Sequence, residues 1–282
     1  ISTCRDLYKI LNDFNLEECS KIKDIENRIK HDVKAVEIYI QEKCRELKLN
    51  KCISFIHFGL TSQDINNILY PKIIKEFISS EYKPLLVNLN SILNKMYIDH
   101  RHIIMLSRTH GQPGVPTSLG KEIAVFEYRL SELMDYLDKI EYKCKFGGAN
   151  GNFNAHRMAY PKIDWIFFAN DFTHSFGLKR SHYTTQIDNY ENLSIVFDAI
   201  KRINTVLTDL CQDIWLYIMN KYFILKINKE EVGSSTMPHK VNPINFENAE
   251  GNLGISNALF EFMSRKCPVS RLQRDLTDST VL

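Results

Sequence analysis

Glu191-Asn-Leu-Ser-Ile-Val-Phe-Asp-Ala-Ile-Lys-Arg-Ile-Asn-Thr-Val-Leu-Thr-Asp-Leu-Cys-Gln-Asp-Ile-Trp-Leu-Tyr217 lies within a stretch, 186–232, that contains neither glycine nor proline. Leu193, Val196, Ile200, Ile203, Leu207, Leu210, Ile214 and Tyr217 recur at spacings of three and four. That is the period of one face of an α-helix. A continuous helix from Gln186 to about Ile227 would approach ~60 Å at ~1.5 Å per residue. Helices of that length belong to bundles and coiled assemblies. Ile195, Ala199, Val206 and Trp215 widen the apolar stripe. The helix is therefore expected to be covered on more than one side, part of it by another subunit. The competing reading is a helix broken near its middle.

A second pattern runs through 121–146, again without glycine or proline. Ile123, Phe126, Leu130, Leu133, Leu137 and Ile140 mark one face, and Ser118 is a candidate N-cap after Pro116. No hairpin dipeptide pattern recurs, and strands do not alternate with helices. The expected fold class is all-α, a long-helix bundle. The 282 residues are 44% hydrophobic and 25% charged, enough for a large core. A net charge of +2 gives no sign of a nucleic-acid-binding tail. Seven scattered cysteines without a C-x-x-C read as reduced, mostly buried thiols of a cytoplasmic protein. No apolar run is long enough to suggest a membrane span. Both ends read as cut, so the chain is expected to be the middle of a longer protein.

Three segments carry chemistry. The first is Gly233-Ser-Ser-Thr-Met-Pro-His-Lys-Val-Asn-Pro-Ile-Asn-Phe-Glu-Asn248. Two hydroxyls, Ser234 and Ser235, stand close in sequence to a fixed positive charge, Lys240, and an amide, Asn242. An elimination needs such a set, because negative charge builds up next to a carboxylate and must meet preorganised donors. The second is Ser107-Arg-Thr-His-Gly-Gln-Pro113, where Gly111 and Pro113 put His110 in a loop ahead of a helix. An imidazole there has the right ordinary pKa for proton transfer, although an isolated histidine more often has a solvated or structural role. The third is His57-Phe-Gly-Leu-Thr-Ser-Gln-Asp64. Its local reading is helix capping by Thr61, Ser62 or Asp64, which is compatible with anion binding at the same helix end. His100 and His102 form an H-x-H without further ligands at metal-site spacing and read as a solvated helix end.

The G-S-S-x-M-P-x-K-x-N pattern resembles the signature loop of the fumarase/aspartase superfamily of fumarate-releasing lyases. Lys30-His-Asp-Val-Lys-Ala-Val-Glu37, Thr61-Ser-Gln-Asp64, Arg108-Thr-His-Gly-Gln-Pro113, Gly148-Ala-Asn-Gly-Asn152, Tyr183-Thr-Thr-Gln186 and Ser270-Arg-Leu-Gln-Arg-Asp-Leu-Thr-Asp-Ser-Thr280 extend the likeness through the chain. Together they are similar to the adenylosuccinate lyase family, in its bacterial form. The resemblance implies a multi-subunit central helical bundle. It assigns 1–50 to the remainder of an N-terminal helical domain and 51–282 to the central bundle, with a C-terminal domain absent. It implies β-elimination of fumarate from adenylosuccinate and from its imidazole carboxamide analogue, SAICAR, without metal or cofactor.

The resemblance also implies roles. Ser234 would be the base that takes the Cβ proton, His110 the acid at the departing nitrogen, and Glu247 its orienting carboxylate. Lys240 and Asn242 would bind the succinyl carboxylate where charge accumulates. Thr61, Ser62, Thr109, Gln186 and Ser235 would hold the rest of the succinyl group. Lys30, His31 and Asp32 match the tripeptide beside base and ribose, and His57 a further site histidine. Arg274 and Ser279 match phosphate ligands, and Val241, Asn248 and Thr280 also line the implied site. A family Arg-Tyr contact would precede residue 1, and a further arginine would follow Leu282. The implied partners are purine nucleotide substrates and three further copies of the chain, in a homotetramer with shared sites, and neither nucleic acid nor membrane. The alternatives are an argininosuccinate-lyase-like enzyme and a non-catalytic structural homologue.

Overall fold

The computed structural model describes residues 2–226, 241–273 and 282. Ten α-helices follow one another along the described residues: α1 (Ser2–Asn12), α2 (Leu16–Ile29), α3 (Asp32–Glu46), α4 (Ser62–Phe77), α5 (Lys83–His100), α6 (Leu119–Asp138), α7 (Asn154–Ala159), α8 (Trp165–Ser175), α9 (Glu191–Met219) and α10 (Ile244–Lys266). Two short strand pairs accompany them among the described residues. β1 (Ile104–Thr109) and β2 (Gln112–Ser118) are antiparallel; β3 (Lys143–Cys144) and β4 (Lys179–Arg180) are parallel. The fold is all-α, as the helical periods predict.

The chain divides into two compact units. One gathers the residues up to Ile73 with Tyr142–Asn189; the other gathers Ile74–Glu141 with the described part of Tyr190–Val269. In the first unit, α2 starts where the Asn15 side chain accepts from the Glu17 and Glu18 amides. It stops at Lys30, whose left-handed φ of 56° ends the helix. His31 then caps α3, its Nδ1 accepting from the Lys34 amide at 3.3 Å. A cap at each side of one bond makes a tight corner between two helices. Ile25, Ala35 and Tyr39 close the α2–α3 contact. A separate core of Ile68, Cys144, Phe146, Phe153, Trp165, Ala169 and Leu178 joins α4 to the β3–β4 region and α8.

The second unit is a helical bundle in which α9 packs on α10 and on α6, and α6 on α5. A π-turn, Ile78–Tyr82, leads from α4 into α5. Val196 and Ile203 on α9 and Leu130 on α6 are fully buried. Polar pairs tie the helices along their flanks: Arg129 Nη1 to Asp209 Oδ2 at 2.6 Å, Lys83 Nζ to Asp138 Oδ2 at 2.6 Å, and Gln212 Nε2 to Glu250 Oε1 at 2.7 Å.

Three expectations need correction. The long helix ends at Met219, short of Ile227, because Lys221 turns left-handed at φ 63°. Lys221 N–H then donates to the Ile218 carbonyl and Tyr222 N–H to that of Tyr217, the paired closure of a Schellman stop. The helical reading of 121–146 holds only to Asp138; Lys143 and Cys144 form a strand instead. A hairpin is present that no dipeptide announced. Thr109 pairs with Gln112 across a two-residue turn, His110-Gly111, with φ values of 55° and 73°. Positive φ at both positions suits the type I′ turn that right-twisted strands favour. Histidine replaces the usual Asn or Asp there, and two prolines sit in β2.

Candidate active site

The site residues suggested by the sequence divide between the two units. The first unit holds Lys30, His31, Asp32, His57, Thr61, Ser62 and Gln186; the second holds Thr109, His110, Val241, Asn242, Glu247 and Asn248. Ser234, Ser235, Lys240, Arg274, Ser279 and Thr280 lie outside the described residues.

In the first unit, Lys30, His31 and Asp32 occupy the α2–α3 corner and are exposed. Thr61 and Ser62 stand at the start of α4, and the dipole at a helix N-terminus favours an anion. That start is built tightly. Asp64 Oδ2 accepts from the Thr61 amide at 2.9 Å, reaching back as the third residue of a capping box does. Asp64 Oδ1 accepts from the Gly147 amide at 2.8 Å, and the Gly148 amide lies 3.1 Å from Oδ2. Lys145 Nζ lies 2.8 Å from Asp64 Oδ1 and donates to the Gly148 carbonyl at 2.6 Å. Both side chains of this ion pair are fully buried. Burial pushes the Lys145 ammonium below its ordinary pKa, and the Asp64 charge pulls it back. Removing one partner of such a pair costs about 3–5 kcal/mol, because the other is left charged and dry.

His57 precedes this start with a positive φ of 60°. Partial burial lowers its pKa, opposed by Glu37 and Asp64, which favours neutral imidazole. Behind it, Gly59 lies against the ring of buried His156; a Cβ on Gly59 would sit 2.7 Å from His156 Cε1. His156 is boxed by Phe58, Phe153 and Trp165, and its Nδ1 has no hydrogen-bond partner among the described residues. Gln186 is partly buried in the loop before α9. The Asp188 amide, two residues on, donates to Asn67 Oδ1 on α4 at 2.7 Å.

In the second unit, Thr109 and His110 are exposed at the tip of the β1–β2 hairpin. The hairpin is held from its sides: Ser107 Oγ donates to the Val115 carbonyl at 2.6 Å, Arg108 Nη1 to the Gly111 carbonyl at 3.0 Å, and Tyr222 Oη to the Leu106 carbonyl at 3.1 Å. Glu247 stands in the first turn of α10 and accepts from Trp215 Nε1 at 3.1 Å. Among the described residues it takes that bond from Trp215 and not from His110. Asn248 is also exposed on α10, and Val241 and Asn242 lead into it, partly buried.

The sequence reading passed over Lys145 and Asn67, and treated Asp64 only as a cap. The available signal was Lys145 itself, a lysine between Cys144 and Phe146 directly before Gly147-Gly148.

The model of a lyase family matches residues 2–255. The chain is 52% identical to an adenylosuccinate lyase of Dictyostelium discoideum, over 99% of this chain and 60% of that protein. It is 45% identical to the adenylosuccinate lyase of Escherichia coli K12, over 97% of this chain and 60% of that protein. The chain thus spans about 60% of the length of these curated relatives. Among solved structures, a fumarate lyase from Mesorhizobium sp. BNC1 superposes with a TM-score of 0.78 at 15% identity, over 99% of this chain and 60% of that one, a likeness of fold. With a family model running through nearly its whole length, the chain belongs to this lyase family, that of the fumarase/aspartase superfamily.

Proposed function

We propose that the protein is an adenylosuccinate lyase, releasing fumarate from adenylosuccinate to leave AMP and from SAICAR to leave AICAR, in purine nucleotide biosynthesis. The observation that carries this is the 45–52% identity to curated adenylosuccinate lyases along almost the whole chain. The motif residues named above are all present in this sequence.

The reaction breaks a C–N bond and forms the double bond of fumarate. Ser234 takes the Cβ proton, and Lys240 and Asn242 meet the charge that builds on the adjoining carboxylate. A serine hydroxyl is a weak base unless its oxyanion is stabilised, so a nearby cation is required. The departing nitrogen leaves as an amine once His110 supplies its proton. Thr61, Ser62, Thr109, Gln186 and Ser235 hold the succinyl group. Lys30, His31, Asp32 and His57 flank the nucleotide, with Val241, Asn248 and Thr280, while Arg274 and Ser279 take the phosphate. Substrate carboxylate and protein donors carry the charge, so neither metal nor cofactor is needed. Glu247 orients His110 from another copy of the chain, in a cytoplasmic homotetramer whose sites are shared. The helical exposure supports such an assembly: Ile255, Leu259 and Phe262 on α10 are more than half exposed in the single chain.

A fumarate-release assay on the full-length protein tests the reading, with adenylosuccinate, SAICAR and argininosuccinate as substrates. Turnover of the two purine substrates is expected. Release from argininosuccinate alone would favour the sister enzyme, and no release from any of them a non-catalytic homologue.

A further inference from the structure

α4 buries a polar face that the chemistry above leaves without a task. Gln63, Asp64 and Asn67 are each at most 1% exposed. Polar groups in an interior are costly unless bonded, and here their bonds lead to two different segments. Asp64 gathers the amides of Thr61, Gly147 and Gly148, with Lys145 balancing its charge. Asn67 donates from Nδ2 to Gln63 Oε1 at 3.2 Å and accepts the Asp188 amide at Oδ1. Ser181 Oγ donates to Asp188 Oδ1 at 3.0 Å, closing the loop that contains Gln186. One helix face thus fastens both the Thr61–Ser62 start and the Gln186 loop, 125 positions apart in sequence (186 minus 61).

We propose that Lys145, Asp64 and Asn67 are positioning residues that hold Thr61, Ser62 and Gln186 in one fixed geometry for the substrate carboxylates. The proposal rests on the reading of those three residues as succinyl contacts. Lys145 is the member on which the others depend. Its ammonium balances the Asp64 charge in a dry interior, where the two oxygens of the carboxylate accept all three amides. Without it, the buried carboxylate would lose its counter-charge, the strap at Gly147–Gly148 would be displaced, and the Thr61 amide would lose its anchor.

The test uses the full-length protein with Lys145→Met, Lys145→Arg, Asn67→Leu and the double variant Asp64→Asn/Lys145→Met, which buries no unpaired charge. KM for adenylosuccinate should rise about tenfold or more while kcat falls less than about threefold, with Lys145→Arg partly restored. A purely structural role lowers the folded fraction and so kcat, leaving KM alone; that outcome would overturn the proposal. Amide hydrogen exchange is the second readout. The Thr61, Gly147 and Gly148 amides should exchange about tenfold faster in the double variant while those of α9 stay as in wild type. Unchanged protection at those three amides would equally overturn it, whether or not the protein turns over substrate. A wild-type protein that releases no fumarate would instead sink the functional reading, and the exchange result would still decide whether this anchor operates.

Discussion

Single residues set the sharpest expectations. Ser234→Ala and His110→Ala should each lower kcat by about 10²–10⁴, since each removes a proposed proton-transfer group, while substrate binding stays measurable by calorimetry. A His110→Ala enzyme with near-native kcat would show that the proton comes from elsewhere. Gly59 and Gly111 make a contrasting pair. Both have positive φ, 66° and 73°, but an added methyl meets the His156 ring at Gly59 and nothing within 4 Å at Gly111. Gly111→Ala should cost only the left-handed penalty, about 1–2 kcal/mol. Gly59→Ala adds a clash with a ring that packing holds in place, so its urea midpoint should fall clearly further. Equal midpoints for the two variants would mean that the His156 ring gives way freely. The glycine itself was visible in the sequence. The reason for it was not, because His156 lies 97 positions away (156 minus 59).

At the scale of elements, the α2–α3 pair holds a charge cluster with a definite pH signature. Glu18 is held near a pKa of about 2 by hydrogen bonds from Lys21 first, then Tyr39 and Lys43. Tyr39 Oη donates to Glu18 Oε2 at 2.6 Å, and burial with that bond pushes the phenol up to about 12. A carboxyl depressed in the folded state stabilises it fully above its ordinary value of 4.5, and that contribution is lost as pH falls towards about 2. The gap in melting temperature between wild type and Glu18→Gln should therefore narrow from pH 5 down to pH 2, about the interval between the two values. A gap of constant size across that interval would contradict the assignment. The elements themselves were partly legible. Helical spacing located α6 and α9, and Ser118 was readable as the α6 cap, where it accepts from the Lys121 amide. The β1–β2 hairpin was not, because its turn puts His110, at φ 55°, where such turns usually carry Asn or Asp.

For the whole molecule, the proposed shared sites predict complementation. Mixed tetramers of Ser234→Ala and His110→Ala subunits should recover part of the fumarate-releasing activity, because some sites receive an intact copy of both residues. Verified mixed tetramers without any recovery would rule out such sharing, and an active full-length monomer in sedimentation would remove the tetramer itself. The same scale separates what the chain's letters determine from what its folding decides. Composition and the three-and-four spacing of Leu193 to Tyr217 determined an all-α protein, because burial of a stripe depends only on local geometry. The loop Gly233–Asn248 and the T-H-G-Q-P and T-S-Q-D segments carried the lyase likeness, because such a pattern is read from residue identity and spacing alone. Tertiary structure alone decided where α9 stops, what Glu247 bonds, and that Asp64, Lys145 and Asn67 lie dry beneath the α4 start. Those outcomes depend on contacts between residues far apart in sequence, and a buried charge has no local pattern that distinguishes it from a solvated one until its partner is in place.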